Sequence, residues 1–365
     1  MAGNPLTNPN WAAELADTVD RYVGKVLHVK AGHVLSLQYH NKKDETMHVF
    51  SGELILRTWP HEGAEPVARA FRAGDSVHIP AGLLQTGDNR RLLGEDLMAG
   101  QVALSAGTRL SPAACGLLAS LGLASVQVWR RPKVAYFSTG DEILSLGEAP
   151  REGAVYDSNR YTVAGMVQEL GCELIDMGVV RDEAAALEQA FRQAAQQADA
   201  VITSGGVSVG EADHTKAMMR KLGDVAFWRI AMRPGRPMAV GRIRETDHAA
   251  VLFGLPGNPV AVMVTFAAFV RPALQRLMGW KAPALPLLKA HSLQALRKKP
   301  GRTEYQRGTV STDAQGQLVV SLTGNQGSGV LSSMVQANGL IVLGHEQGHV
   351  AAGDEVDVMM FDGHL

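Results

Sequence analysis

The sequence predicts a multidomain protein of the α/β plus β class, with a doubly wound parallel sheet at its centre. Strand and helix patterns alternate between residues 133 and 281, which is typical of a parallel sheet with helices on both faces. Short strands bounded by glycine turns fill residues 282–365 and predict a small β-barrel. A separate run of short strands over residues 23–87 predicts a β domain before the central sheet.

The chain has 365 residues, which is long enough for several domains with their own cores. A helical pattern opens the chain, and a connector made of one helix and one strand joins the first β domain to the central sheet. The predicted segments are therefore 1–22, 23–87, 88–132, 133–281 and 282–365.

Composition limits the classes of function. Apolar residues make up 46% of the chain and charged residues 19%, with a formal net charge of −1, so no nucleic-acid or anionic membrane surface is expected. The longest apolar stretch, near 261–270, is too short to cross about 30 Å of hydrocarbon. Two cysteines, Cys115 and Cys172, lack metal-ligand spacing and predict a reduced cytoplasmic protein with both thiols buried.

Local patterns predict the elements that surround the central sheet. In the connector, Ser111 and Pro112 predict the cap and first turn of a helix, and "SVQVW" predicts a strand. Leu187, Phe191 and Ala194 predict one apolar stripe on a later helix. The stretch "VAFWRIAMRPGRPMAVGRI" predicts a hairpin that interrupts the strand–helix alternation.

Small and polar residues follow the four strands of the α/β pattern, where ligands bind in open parallel sheets. The strands end before "STGDE", "RDE", "SGGVSVGEAD" and "LPGNP". Gly205 and Gly206 allow backbone N–H groups to approach a phosphate, and Asn258–Pro259 predicts a helix start with free N–H groups. The hairpin adds Arg229, Arg233 and Arg236, so a substrate with several phosphates is expected.

Acidic residues at the same strand ends would repel phosphates unless a cation lies between them. Mg²⁺ prefers one or two carboxylates together with water and phosphate oxygens, and Glu142, Asp182 and Asp213 are the candidate ligands. Three plainer interpretations stay open: Asp182 and Asp213 as helix N-caps, Glu142 as a solvated acid, and the arginines as a solvated edge.

Six stretches in order, "VAYFSTGDEI", "YDSNR", "GVVRDE", "TSGGVSVGEADHTK", "AFWRIAMRPGRPMAVG" and "FGLPGNPVAVMVTF", resemble the molybdopterin molybdenumtransferase family, to which the C-terminal region of gephyrin belongs. The resemblance covers about residue 88 to the C-terminus. It implies a molybdopterin-binding central domain and insertion of molybdate into adenylylated molybdopterin, with Mg²⁺ and release of AMP.

The resemblance also implies roles for individual residues. Glu142, Asp182, Asp213 and Asp96 would be catalytic, the first three as Mg²⁺ ligands. The pterin phosphate would contact Thr139, Gly205, Gly206 and Ser208, and the molybdate pocket would be bordered by Pro256, Gly257, Asn258 and Pro259. Arg229, Arg233 and Arg236 stand where the family usually has lysine, and a planar guanidinium binds oxyanions differently from an ammonium.

The N-terminal part departs from the family pattern. The family's elongated helical segment and inserted domain are not recognisable in residues 1–87, and residues 23–87 instead resemble a truncated cupin. The cupin metal positions would read Gln38, His40, Glu45 and Gln85, of which only His40 and Glu45 are good ligands.

The function expected from the sequence is therefore a molybdopterin molybdenumtransferase. A homodimer is expected, with a molybdopterin adenylyltransferase as a possible partner and neither nucleic acid nor membrane. Two alternatives stay open: a molybdopterin-binding scaffold or carrier without catalysis, and a cupin-type sugar-phosphate isomerase or sensor.

Overall fold

The computed structural model describes residues 45–48, 53–58, 67–79, 93–206, 214–245, 248–283 and 285–361. The chain divides into two compact units, Met1–Gln101 and Val102–Leu365, and each is described by itself. The predicted lead-in over 1–22 and the predicted metal ligand His40 lie outside the described residues.

Within its described residues, the first unit contains four short strands in the predicted β segment. They are β1 (Glu45–His48), β2 (Glu53–Thr58), β3 (Val67–Arg72) and β4 (Ser76–Ile79). Strand β1 pairs antiparallel with β4, and β2 pairs antiparallel with β3. The β2–β3 hairpin therefore lies between β1 and β4 in the sequence. Glu45, the second predicted cupin ligand, is the first residue of β1.

The connector forms its predicted helix but not its predicted strand. Helix α1 (Pro112–Ser120) begins after Ser111, whose side chain accepts a hydrogen bond from Ala114 N, as expected for a cap. Residues 125–129 form no strand, because no described strand pairs with them, and Trp129 is 74% exposed. Cys115 on α1 is also exposed, so only Cys172 is a buried thiol, and burial raises its pKa to about 11.

The predicted alternation of strands and helices forms the central α/β region. Its strands are β5 (Lys133–Thr139), β6 (Ile143–Leu144), β7 (Val155–Tyr156), β8 (Glu173–Val180), β9 (Ala200–Ser204), β10 (Gly223–Arg229), β11 (Met232–Arg233), β12 (Pro237–Glu245) and β13 (His248–Leu255). Its helices are α2 (Ser158–Glu169), α3 (Ala184–Gln197), α4 (His214–Leu222), α5 (Pro259–Thr265) and α6 (Arg271–Leu277), with a π-helical segment, Phe266–Val270, between the last two.

Within the described residues, the central sheet has the strand order β10-β12-β13-β9-β5-β8. The four strands β13, β9, β5 and β8 are neighbours and run parallel, as the sequence predicts. The predicted hairpin forms as β10 and β12, and it adds two antiparallel strands to the sheet at the β13 edge. The sheet is therefore mixed, with its parallel half at the other edge.

Helices cover both faces of this sheet because alternate strand residues point to opposite faces. Ala135 and Phe137 of β5 pack with α3 and α4, where Leu187, Phe191 and Ala194 are fully buried as one stripe. Val134 and Tyr136 pack on the other face with α2, α5 and α6. The doubly wound architecture is thereby confirmed.

The run Pro259–Leu277 is the one helix in the described chain long and apolar enough to cross a membrane. This helix is longer than the apolar stretch near 261–270 in the sequence. However, 61% of its most apolar 18-residue segment is buried inside the fold. Val262, Phe266 and Leu274 belong to the core under the sheet. The run is therefore a core helix of the α/β region.

The last part of the chain forms a closed barrel. Its elements are β14 (Leu288–Ser292), β15 (Thr303–Thr312), β16 (Leu318–Leu322), α7 (Ser332–Gln336), β17 (Gly339–Leu343) and β18 (Glu355–Met360). Strand β15 pairs with both β16 and β17, which closes the ring of five strands, and β11 adds to β15 in parallel. The predicted C-terminal β-barrel is confirmed.

Candidate active site

Four strand ends meet at one edge of the central sheet. Strands β8, β5, β9 and β13 are parallel neighbours, so their carboxyl ends lie side by side. Thr139 closes β5, Gly205 and Gly206 follow β9, and Gly257 follows β13. These are the strand ends that the sequence singles out, and open parallel sheets bind ligands at this edge.

Gly205 and Gly206 allow a close approach that no other residue would allow. Gly205 has a φ of +89°, and a Cβ there would lie 2.2 Å from the backbone oxygen of Thr139. Gly206 has a φ of +65°, and a Cβ there would lie 2.5 Å from Oγ1 of Thr215. The two glycines therefore let the ends of β9 and β5 and the start of α4 come together.

Asn159, on the first turn of α2, joins two of the strand ends. Its Nδ2 donates to the carbonyl oxygen of Gly257 at 2.8 Å and lies 3.4 Å from Oγ of Ser204. Asn159 is only 8% exposed. Its amide group thus links the loop after β13 to the last residue of β9. The sequence motif "YDSNR" contains this residue, but only the structure reveals the link.

Buried hydroxyl groups lie beneath the same edge. Tyr136 Oη shares hydrogen bonds with Ser138 Oγ at 2.8 Å and Ser204 Oγ at 2.7 Å. Burial is the main cause that raises the Tyr136 pKa above its usual value, so this phenol stays protonated. Thr139 Oγ1 is buried and has no hydrogen-bond partner among the described residues. An unpaired buried hydroxyl at a ligand-binding edge suits a ligand oxygen.

Two of the three predicted Mg²⁺ ligands, Glu142 and Asp182, are among the described residues. The carboxylate of Glu142 lies over Gly140, where a Cβ would meet its Oε2 at 2.7 Å. Asp182 Oδ1 accepts a hydrogen bond from Thr215 Oγ1 at 3.2 Å. The N-cap interpretation of Asp182 is wrong, because α3 begins after Glu183 and the Asp182 carboxylate pairs with Thr215 instead. Asp213 and Ser208 lie outside the described residues.

The three predicted arginines are all exposed. Arg229 ends β10, and Arg236 precedes β12. Arg233 lies on β11 beside β15 and is the one of the three that lines a cavity of about 350 Å³. Arg297 and Arg307 line the same cavity, together with the buried carboxylate of Glu304. The cavity is therefore rich in guanidinium groups, which bind oxyanions.

Arg307 is a residue of this cavity that sequence reasoning missed. It is 1% exposed, and its side chain donates to Ser333 Oγ at 3.0 Å and to the carbonyls of Asn325 and Gly327 at 3.2 and 2.9 Å. Burial, and then the charge of Arg233, lower the Arg307 pKa to about 10. The sequence does carry a signal for this residue, because the predicted strand that contains "TEYQR" is unusually polar.

One loop joins the barrel cavity to the sheet edge. Gln326 and Gly327 of this loop contact Arg307, and Ser328 O accepts a hydrogen bond from Val260 N at 3.1 Å. A Cβ on Gly329 would lie 3.9 Å from Oδ1 of Asn258. The loop thus spans from the guanidinium cavity to the start of α5. Asn258 precedes that helix and Pro259 opens it, as predicted, while Pro256 is buried.

Three family models match the chain. The model described as a probable molybdopterin binding domain matches residues 135–276, the MoeA C-terminal region (domain IV) matches 289–361, and the MoeA N-terminal region (domain I and II) matches 41–122. The molybdopterin molybdenumtransferase of Haemophilus influenzae is 46% identical over 280 residues, which cover 76% of this chain and 68% of that protein. This chain belongs to the molybdopterin molybdenumtransferase family.

Other members of the molybdopterin molybdenumtransferase family agree with this assignment. Gephyrin of Dictyostelium discoideum is 33% identical over 305 residues, but the match covers only 42% of that longer protein and 75% of this chain. The crystal structure of a MoeA protein from Pyrococcus horikosii matches with a TM-score of 0.62 and 26% identity, covering 88% of this chain and 82% of that one. Membership places the protein in molybdenum cofactor biosynthesis, as a transferase.

The family match corrects one expectation about the N-terminal part. The family's N-terminal region was expected to be unrecognisable before residue 88, but its model begins at residue 41. The cupin resemblance of residues 23–87 is not confirmed. Asp96, the further acid that the resemblance implies, lies within this match as an exposed residue of the first unit.

Proposed function

We propose that this protein inserts molybdate into adenylylated molybdopterin and releases AMP. The observation that carries the proposal is the meeting of Thr139, Gly205, Gly206 and Gly257 at one sheet edge, in a chain of this family. Glycine amides and a buried unpaired hydroxyl favour a phosphate-bearing ligand. The pterin phosphate would lie on Gly205–Gly206 and would also contact Ser208, which is two residues farther along the sequence.

The acids at this edge fit a magnesium ion by their chemistry. Glu142 and Asp182 follow the neighbouring strands β5 and β8, and Mg²⁺ uses one or two carboxylates with water and phosphate oxygens. No group of three metal-binding side chains lies together within the described residues, and Asp213 falls outside them. When bound, the ion would neutralise phosphate charge and polarise the bond that breaks.

The cavity beside β15 is the proposed entry site of molybdate, an oxyanion. Arg233 and Arg307 would neutralise its charge, and the Gln326–Ser328 loop would lie between it and the Pro256–Pro259 segment. Arg229 and Arg236, exposed on the hairpin, would meet outer phosphates of the substrate. Catalysis would then rest on positioning and charge neutralisation, which is usual for phosphoryl chemistry.

Asp182 offers a direct test of the proposed reaction. Asp182→Asn removes one charge from a half-buried side chain, and we expect at least a tenfold fall in the rate of molybdate insertion, with stability changed by less than about 1 kcal/mol. Glu183→Gln removes a charge from the next residue, which makes no capping hydrogen bond, and is the matched control with an unchanged rate.

Insertion is measured with purified chain, adenylylated molybdopterin, molybdate and Mg²⁺, and molybdopterin binding is followed by calorimetry. Binding without insertion by the wild-type chain would favour the scaffold alternative over the enzyme. Full activity of Asp182→Asn would contradict the role of this carboxylate.

Exposed apolar residues in the connector support the homodimer. Val102, Val128 and Trp129 are 74%, 65% and 74% exposed, and large apolar side chains exposed in this way favour an interaction site. We expect the chain to sediment as a dimer and Val128→Glu to shift it toward the monomer. A wild-type monomer at micromolar concentration would contradict this. An adenylyltransferase partner and a cytoplasmic location remain part of the proposal.

A further inference from the structure

Thr215 is a fully buried residue in the first turn of α4. It belongs neither to the four strand ends of the central sheet nor to the lining of the cavity beside β15. Its Oγ1 donates to Oδ1 of Asp182 at 3.2 Å. An ionised carboxylate can only accept, so the threonine hydroxyl is the donor of this bond. The bond joins α4, which follows β9, to the residue two positions beyond the end of β8.

The same side chain packs against the glycine loop. A Cβ on Gly206 would lie 2.5 Å from Oγ1 of Thr215 and 2.6 Å from its Cβ, so only glycine allows this contact. Branching at Cβ restricts the Thr215 rotamer, and full burial restricts it further. The hydroxyl is therefore held in one direction, between Gly206 and the Asp182 carboxylate.

An apolar residue of the same size would fill the space that Thr215 occupies. Met219 and Leu222, farther along α4, are buried apolar residues of the core. The hydroxyl contributes a polar contact to Asp182 that a valine would lack. The bond uses one carboxylate oxygen, Oδ1, and thereby restricts rotation of the Asp182 carboxylate.

We propose that Thr215 is a positioning residue that fixes the orientation of the Asp182 carboxylate toward the ligand bound at Gly205–Gly206. This rests on the proposed function, because it assigns Asp182 a cation at that edge. Thr215 itself touches neither cation nor phosphate. It reduces the number of orientations that the half-buried carboxylate adopts, so the cation site is formed before the ligand binds.

A matched pair of variants separates the hydroxyl from the packing. Thr215→Val keeps the shape and removes the hydroxyl, whereas Thr215→Ser keeps the hydroxyl and removes a methyl group. Binding of Mn²⁺, used as a probe for Mg²⁺, is followed by the electron paramagnetic resonance signal of the free ion in the presence of AMP. Insertion kinetics are measured in parallel, and thermal melting reports folding.

We expect Thr215→Val to weaken Mn²⁺ binding and to lower kcat/KM by about tenfold each, the usual size for a hydrogen bond to a charged group. We expect Thr215→Ser to stay within about threefold of wild type. In an Asp182→Ala background, Thr215→Val should change Mn²⁺ binding by less than about twofold, because a residue that acts through Asp182 has no effect without it.

Two results would overturn the proposal. One is wild-type Mn²⁺ affinity in Thr215→Val, and the other is an equal loss with and without Asp182, which indicates a packing role only. A wild-type chain that binds Mn²⁺ but inserts no molybdate would contradict the proposed function. The Mn²⁺ affinities of the Thr215 variants would then decide the positioning role by themselves. A wild-type chain that binds no Mn²⁺ with AMP would overturn the positioning role.

Discussion

Replacing Gly205 by alanine is expected to destabilise the second unit by about 3–5 kcal/mol and to lower its melting temperature by about 10 °C. Two causes add. The backbone has a φ of +89°, which alanine rarely adopts, and the new Cβ would lie 2.2 Å from the carbonyl oxygen of Thr139. Backbone cannot move aside as a flexible side chain can, so the ends of β5 and β9 would have to separate.

Gly257→Ala is the matched control for this experiment. Gly257 follows the neighbouring strand β13, has no positive φ, and a Cβ there would find only the Gly205 Cα at 4.0 Å. We expect its melting temperature to change by less than about 2 °C. Thermal denaturation followed by circular dichroism measures both variants. Equal melting of Gly205→Ala and wild type would contradict the close approach at this edge.

The sequence predicts the sheet edge well because its signals are local. A few neighbouring residues are enough to predict the Gly205–Gly206 turn, the helix start at Asn258–Pro259 and the apolar stripe that includes Leu187. The alternation of strand and helix patterns then predicts parallel strands whose carboxyl ends share one edge of the sheet. A resemblance of six motifs in order then adds the chemistry. These predictions needed no knowledge of which distant segments meet.

The features that the sequence missed depend on long-range contacts. Asn159 meets Gly257, Thr215 meets Asp182, and Arg307 meets the 325–327 loop, and no local pattern indicates which residues pair across such separations. The capping interpretation of Asp182 was wrong for the same reason, because position before a helix does not reveal a partner on another element. The strand expected at 125–129 was wrong because β propensity without a pairing strand gives no sheet.

Replacing Arg307 by methionine is expected to lower kcat/KM for molybdate by at least about a hundredfold. The guanidinium is 1% exposed, and it lines the same cavity as Arg233. Removal of one buried, preorganised donor at an oxyanion site has effects of this size because water cannot replace it. The variant also leaves the carbonyls of Asn325 and Gly327 without their donor, so about 2–4 kcal/mol of stability should be lost.

Arg307→Lys and Arg276→Met complete this experiment. Lysine keeps the charge, but its three N–H donors lie on one nitrogen and cannot reproduce the planar fork that reaches Ser333, Asn325 and Gly327, so an intermediate loss of about tenfold is expected. Arg276 is an exposed arginine near the end of α6, and its replacement should leave molybdate binding unchanged. Calorimetric titration with molybdate, at a temperature where every variant is folded, separates binding from stability. If Arg307→Met bound molybdate as tightly as wild type, the cavity beside β15 would not be the oxyanion site, and molybdate would have to reach the pterin from the Pro256–Pro259 side alone.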